Sequence, residues 1–182
     1  MSSPLSTYGF LSAKLKTRIS KILSAAVVDQ LIRAKTLPEA VQLLKGTDFE
    51  DLEKAYSETG DLRMGEYVLY VREIELYTEI IRFTEDPVRR FILSLTSRYE
   101  GDNLKKALRL WFDKTVRGRS IEGAGGYLYR KPIIHKINIE AVVNAPDINA
   151  LSQILSDTPH GRLVRDTKES VLKNSSLFPL EL

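Results

Sequence analysis

The sequence predicts an all-α protein built from similar helical units set one after another, about one and a half of them. Three observations carry this. Apolar residues recur at three- and four-residue steps along almost the whole chain. Sustained period-two alternation, the mark of a half-buried strand, is missing even around Ile133, Ile134 and Ile137. One stretch is also written twice: residues 31–52 read LIRAKTLPEAVQLLKGTDFEDL and residues 142–163 read VVNAPDINALSQILSDTPHGRL.

The duplication needs no gap. Ala34 meets Ala145, an offset of 111 residues (145 − 34). At that offset Gln42, Leu44, Thr47 and Leu52 meet Gln153, Leu155, Thr158 and Leu163, and Leu31, Ile32, Leu37 and Leu43 meet Val142, Val143, Ile148 and Ile154. Both copies keep helical spacing, which predicts one face buried twice. The offset sets the end of the chain, residue 182, against position 71, so an incomplete second unit is expected. The expected division is a first helical unit over 1–117, then a connecting loop and the incomplete second unit over 118–182.

Ser6 or Thr7 caps a first helix carrying Phe10, Leu11, Leu15, Ile19, Ile22, Leu23 and Ala26, with Lys14, Lys16, Arg18 and Lys21 on a solvated outer face and a break near Ser24. Thr36-Leu37-Pro38-Glu39 combines a capping box with proline in the first turn. Gly46 ends that helix, and Thr47-Asp48-Phe49-Glu50 reads as a second box. A long helix over about 66–84 has two apolar rows, so it should be covered on more than one side. After Asp86-Pro87, the residues Val88, Phe91, Ile92, Leu95 and Tyr99 form a buried stripe that Gly101 interrupts. Asp102 then caps a helix facing inward with Leu104, Ala107, Leu108, Trp111 and Phe112. Residues 118–132 form a loop; Asn138 and Asp147 cap the helices of the second copy, and a last helix runs to about residue 172.

Composition narrows the function. Of 182 residues, 43% are hydrophobic and 28% charged, a soluble globular balance. No apolar run has membrane-spanning length, and the opening MSSPLSTYGFLSAKLK lacks the apolar core of a signal peptide. The absence of cysteine excludes disulfides, thiol metal sites and a thiol nucleophile, and suits the cytosol. A net charge of +3 permits an anionic partner without demanding one.

Catalytic and cofactor signatures do not emerge, and no catalytic, cofactor or metal residues are expected. His135 and His160 lack i, i+4 spacing and any HExxH context, so each reads as a surface or satisfied histidine. Gly118 and Gly123 have the separation of a phosphate loop, but Ala124 stands where its lysine belongs. Gly123-Ala124-Gly125 starts a dinucleotide fingerprint that Leu128 fails to complete. Glu73, Glu75, Glu79, Glu85 and Asp86 lie among Arg72, Arg82, Arg89 and Arg90, which reads as ion pairing. The glycosylation pattern Asn174-Ser175-Ser176 has no secretion signal to give it meaning. One patch stands out as a partner interface: Lys105, Lys106, Arg109, Lys114, Arg117 and Arg119. It suits an acidic protein surface or a merely solvated face; the alternative is a helical nucleic-acid-binding module, which usually carries a stronger charge or a recognisable motif.

Three segments resemble a known family. Tyr8-Gly9-Phe10 followed by Ala13-Lys14-Leu15-Lys16 and Leu23-Ser24 is similar to the opening helix of the C subunit of the prokaryotic V-type (A-type) ATPase/ATP synthase, related to the eukaryotic d subunit. Leu44-x-x-Thr47-x-Phe49 resembles that family's recurring L-x-x-T-x-Y element. Tyr99 to Arg109, including Asp102, Asn103, Leu104 and Lys105, resembles its D-x-x-N-L-K segment. The resemblance implies a funnel-like fold of three similar units around a pseudo-threefold axis. It implies a noncatalytic central-stalk component at the cytoplasmic face of the membrane, peripheral to it. Members of the family couple the rotating shaft to the proteolipid ring during proton or sodium transport. Shaft subunits and the ring are the implied partners; no cofactor, small-molecule ligand or nucleic acid is expected.

Overall fold

The structure, a computed structural model, describes residues 4–174 together with 176 and 177. Among the described residues all regular structure is helical: α1 Pro4–Ile19, α2 Ala25–Arg33, α3 Leu37–Gln42, α4 Glu50–Thr59, α5 Leu62–Ile81, α6 Val88–Trp111, α7 Ile139–Val143, α8 Ile148–Ile154 and α9 Pro159–Asn174. A π-helical turn, Phe112–Val116, prolongs α6, and a 3-10 turn, Ala124–Tyr127, lies in the loop after it. Ser175 of the glycosylation pattern lies outside the described residues.

Two compact units divide the chain, Met1–Ile92 and Leu93–Leu182. Packing and duplication are thus different divisions: residues 93–117, which the repeat groups with the amino-terminal part of the chain, pack with the carboxy-terminal part.

The duplicated stretch folds alike in both places. Thr36 and Asp147, 111 residues apart, both cap a short helix. Thr36 Oγ1 accepts the Glu39 N–H at 3.3 Å, and Asp147 Oδ1 accepts those of Asn149 and Ala150 at 2.7 and 2.8 Å. Beyond each helix an equivalent threonine closes the turn: Thr47 Oγ1 donates to the Leu44 carbonyl at 2.6 Å, Thr158 Oγ1 to the Leu155 carbonyl at 2.8 Å. Local code is therefore read the same way twice. The second capping box differs from expectation. Helix α4 starts at Glu50 without a side-chain cap, and Glu50 Oε2 accepts the Gly46 N–H instead.

Burial is where the copies part, and the expectation of one face buried twice is corrected. Val142, Val143, Ile148, Leu151 and Leu155 are buried, whereas Ile32 and Leu37 are exposed and Leu31 and Leu44 are half-buried. The second copy lies under Trp111, Phe112 and Leu128 in a continuous apolar core; unit 1 buries far less, around Leu11, Val41, Leu52, Ile74 and Ile80.

Unit 1 holds together through a helical hairpin and ion pairs. Gly60 takes the left-handed conformation at the end of α4 (φ 68°), Asp61 caps α5, and the two helices pack closely enough that a Cβ on Gly65 would lie 2.9 Å from Leu52 Cγ. The basic face of α1 is not simply solvated, as the sequence implies: Lys14 and Arg18 both reach Glu79 on α5. Its apolar residues are divided: Leu11 is buried and Leu15 half-buried, whereas Phe10 and Ile19, and Ile22 just beyond the helix, are exposed, with Phe10 leaning on Phe83. Arg72 ties α5 to Asp48, Nη2 to Oδ2 at 2.6 Å.

Two further expectations are overturned along α6. Val88, Phe91 and Leu95 are exposed rather than buried. Gly101 and Asp102 neither break nor start a helix, because α6 runs unbroken through them. Tyr99, Glu100, Asn103 and Leu104 are all buried around that point, and their tertiary contacts outweigh the roughly 1 kcal/mol that glycine costs in a helix.

Two glycines should respond oppositely to alanine. A Cβ on Gly101 meets nothing within 4 Å, so Gly101→Ala should stabilise the chain by about 0.5–1 kcal/mol. A Cβ on Gly161 would lie 2.3 Å from the Leu155 carbonyl oxygen, so Gly161→Ala should destabilise it by about 1–3 kcal/mol or more. Urea denaturation of both variants checks the pair; equal responses would refute the packing described for α8 and α9.

Candidate functional site

The buried side of α6 repeats at three- and one-residue steps: Thr96, Tyr99, Glu100, Asn103, Leu104, Ala107, Leu108 and Trp111. This stripe is helical in period but not wholly apolar, and its polar members make long-range bonds. Asn103 grips the backbone of Tyr129 from both sides, donating from Nδ2 to its carbonyl at 2.8 Å and accepting its N–H at Oδ1 at 2.9 Å. Trp111 Nε1 donates to the Ala145 carbonyl at 2.9 Å.

Glu100 is the chemical centre of this unit. The residue is 5% exposed. Oε2 accepts the backbone N–H groups of Ile134 and His135 at 2.9 and 2.7 Å. Oε1 faces two imidazoles, His135 Nδ1 at 2.6 Å and His160 Nε2 at 3.3 Å. The rings stand nearly perpendicular, at 85°. Three separate segments are thus pinned to one carboxylate: α6, the loop before α7 and the first turn of α9. Burial pushes the Glu100 carboxyl up, but hydrogen bonds from His160, from the backbone and ring of His135 and from the Ile134 N–H outweigh it and hold the group down at about 2.

The two histidines, unconnected by spacing, are therefore joined by the fold. They lie 35 and 60 residues from Glu100, beyond the reach of any local pattern. The available signal was narrower: a carboxylate at position 100 sits on the apolar stripe between Tyr99 and Leu104, and buried carboxylates carry partners.

The six cations of the predicted interface lie on the last turns of α6, the π-helical turn and the residues just after it. Lys106 and Arg109 are exposed and Lys105 is half-buried. Lys114 donates to Asn144 Oδ1 at 2.5 Å, and Arg117 and Arg119 share Asp113, with Nη1 atoms 3.0 and 3.5 Å from its Oδ1. Arg117 also stacks on the Phe112 ring, 4.9 Å from its centroid. Of the carboxylates considered for acid chemistry, Glu73, Glu75, Glu85 and Asp86 are exposed, and Glu79 pairs with Lys14 and Arg18.

Comparison with known proteins points in one direction. The family model described as ATP synthase (C/AC39) subunit matches residues 11–182. The C subunit of the A-type ATP synthase of Methanocaldococcus jannaschii is 25% identical over 182 residues, covering 98% of this chain and 44% of the relative. The chain therefore spans less than half the length of that relative. No solved structure matches.

The Glu100 cluster makes two predictions. Glu100→Leu leaves two backbone N–H groups and two imidazoles without their acceptor, and should cost about 3–5 kcal/mol in urea denaturation; a loss below about 1 kcal/mol would show that the cluster contributes little. The pH dependence has a defined sign. The folded carboxyl sits near 2 against an ordinary 4.5, so unfolding takes up a proton between those values. This part of the stability is complete above pH 4.5 and is lost as pH falls toward 2. Glu100→Gln should flatten the stability profile across that window, measured by thermal melts at stepped pH.

Proposed function

Because the chain belongs to the ATP synthase (C/AC39) subunit family, we propose that it serves as a noncatalytic central-stalk adaptor of a rotary A/V-type ATPase, linking the rotating shaft to the membrane proteolipid ring. The family match over residues 11–182 is the observation that carries this reading. The archaeal relative, by name the C subunit of an A-type ATP synthase, points the same way.

The physics of the chain supports an adaptor. Transmitting torque requires elements that resist bending, and helices of 20 and 24 residues, α5 and α6, are the longest among the described residues. Coupling also requires surface to bind with. Unit 1 leaves Phe10, Ile19, Ile22, Ile32, Phe83 and Phe91 exposed, apolar side chains that a partner could cover. No described helix is long and apolar enough to cross a membrane. Attachment to the membrane, at its cytoplasmic face, then runs through the ring. Lys105, Lys106, Arg109, Lys114, Arg117 and Arg119 are the cations proposed to meet acidic loops of a partner.

Assembly tests this reading. The protein should co-purify with shaft subunits and proteolipid ring from its native membranes; complete absence from that assembly would reject the adaptor role. Lys105→Glu combined with Lys106→Glu should weaken assembly about tenfold while leaving the melting temperature unchanged. Unfolding of that variant would assign the two lysines to the fold and remove them from the interface.

A further inference from the structure

We infer that Glu100, His135 and His160 form a divalent transition-metal site, with zinc as the ion that suits it best. The ligand atoms would be Glu100 Oε1, His135 Nδ1 and His160 Nε2, which all lie within 4.8 Å of one another. This goes beyond the adaptor reading and stands independently of it.

The donor set comes first. Two imidazole nitrogens and one carboxylate oxygen suit a borderline ion such as zinc, and three protein ligands leave a fourth position open. The geometry is close to what the ion requires. With bonds of about 2.0–2.1 Å, a tetrahedral ion holds its ligand atoms about 3.3 Å apart. Glu100 Oε1 and His160 Nε2 already stand at 3.3 Å. Glu100 Oε1 and His135 Nδ1, at 2.6 Å, have to open by about 0.7 Å, which a small rotation of the His135 ring supplies.

The supporting shell is also in place. A metal-ligating carboxylate is usually oriented by hydrogen bonds to its other oxygen. Glu100 Oε2 has two, from the Ile134 and His135 N–H groups, so Oε1 is held toward the rings. Both imidazoles keep a solvent-exposed portion, 35% and 27% of their side chains, which leaves a route for the ion and room for a water ligand. Each ring binds as the neutral tautomer with its proton on the second nitrogen, and the carboxylate offsets one of the ion's two positive charges. The bound ion would fasten α6, the loop before α7 and the start of α9 at one point.

The test uses the 182-residue chain after chelator treatment. Calorimetric titration with zinc should give one ion per chain with a dissociation constant in the micromolar range or tighter, and zinc should raise the melting temperature. Cobalt should give the visible absorption of a tetrahedral site. The chain holds two histidines, so both rings can be followed by nitrogen NMR without any substitution. One equivalent of zinc should move His135 Nδ1 and His160 Nε2 together. His160→Gln should weaken zinc binding by about 10–100-fold. The proposal is overturned if about 100 µM zinc produces no stoichiometric binding, or if binding occurs while either ring stays unshifted. The NMR result decides even if His160→Gln fails to fold.

Discussion

Buried backbone groups must find partners, and in unit 2 helix α6 supplies them. The residues between the π-helical turn and α7 form little regular structure, so their N–H and C=O groups have no ladder to join. Asn103 answers the donor and acceptor of Tyr129, and Glu100 takes the N–H groups of Ile134 and His135. Trp111 does the same for the Ala145 carbonyl at the head of the second copy. Without these side chains the loop could not lie against the apolar stripe of α6, and the covering of Val142, Ile148 and Leu155 would be lost. The polar residues on the buried stripe hold the loop in place; Leu104, Leu108, Trp111 and Phe112 then fill the core behind it.

The two copies of the repeat show what such a cover does. Their capped helices and threonine-closed turns agree, yet Ile32 is exposed where Val143 is buried, and Leu37 is exposed where Ile148 is buried. Similar local instructions thus yield one finished core and one more open face. For a free monomer such a face is a liability, and the proposed adaptor role would give it a partner. The family relationship and the exposure pattern meet at this point: one comes from the whole chain, the other from unit 1 alone.

Charge is handled differently in the two units. In unit 1 the ion pairs are partly exposed and connect neighbouring helices: Lys14 and Arg18 to Glu79, Arg72 to Asp48. Pairs of this kind set alignment more than they add stability. In unit 2 one carboxylate is nearly sealed and satisfied on every side, so removing it is costly. The proposed metal site rests on the two imidazoles that face the same carboxylate oxygen.

What the sequence alone determined is local or periodic. Helical class, the break near Ser24, the caps at Thr36, Asn138 and Asp147 and the 111-residue repeat all depend on residues within a few positions of each other or on direct self-comparison. Three similar segments also sufficed to indicate the family. Only the tertiary structure decided which copy is buried, that α6 passes through Gly101, and that His135 and His160 meet at Glu100. Those outcomes depend on contacts between residues far apart in the chain, such as the 60 positions separating Glu100 from His160. Spacing along a chain carries no record of such contacts, because the same amphipathic face can meet a neighbour or be left open to water.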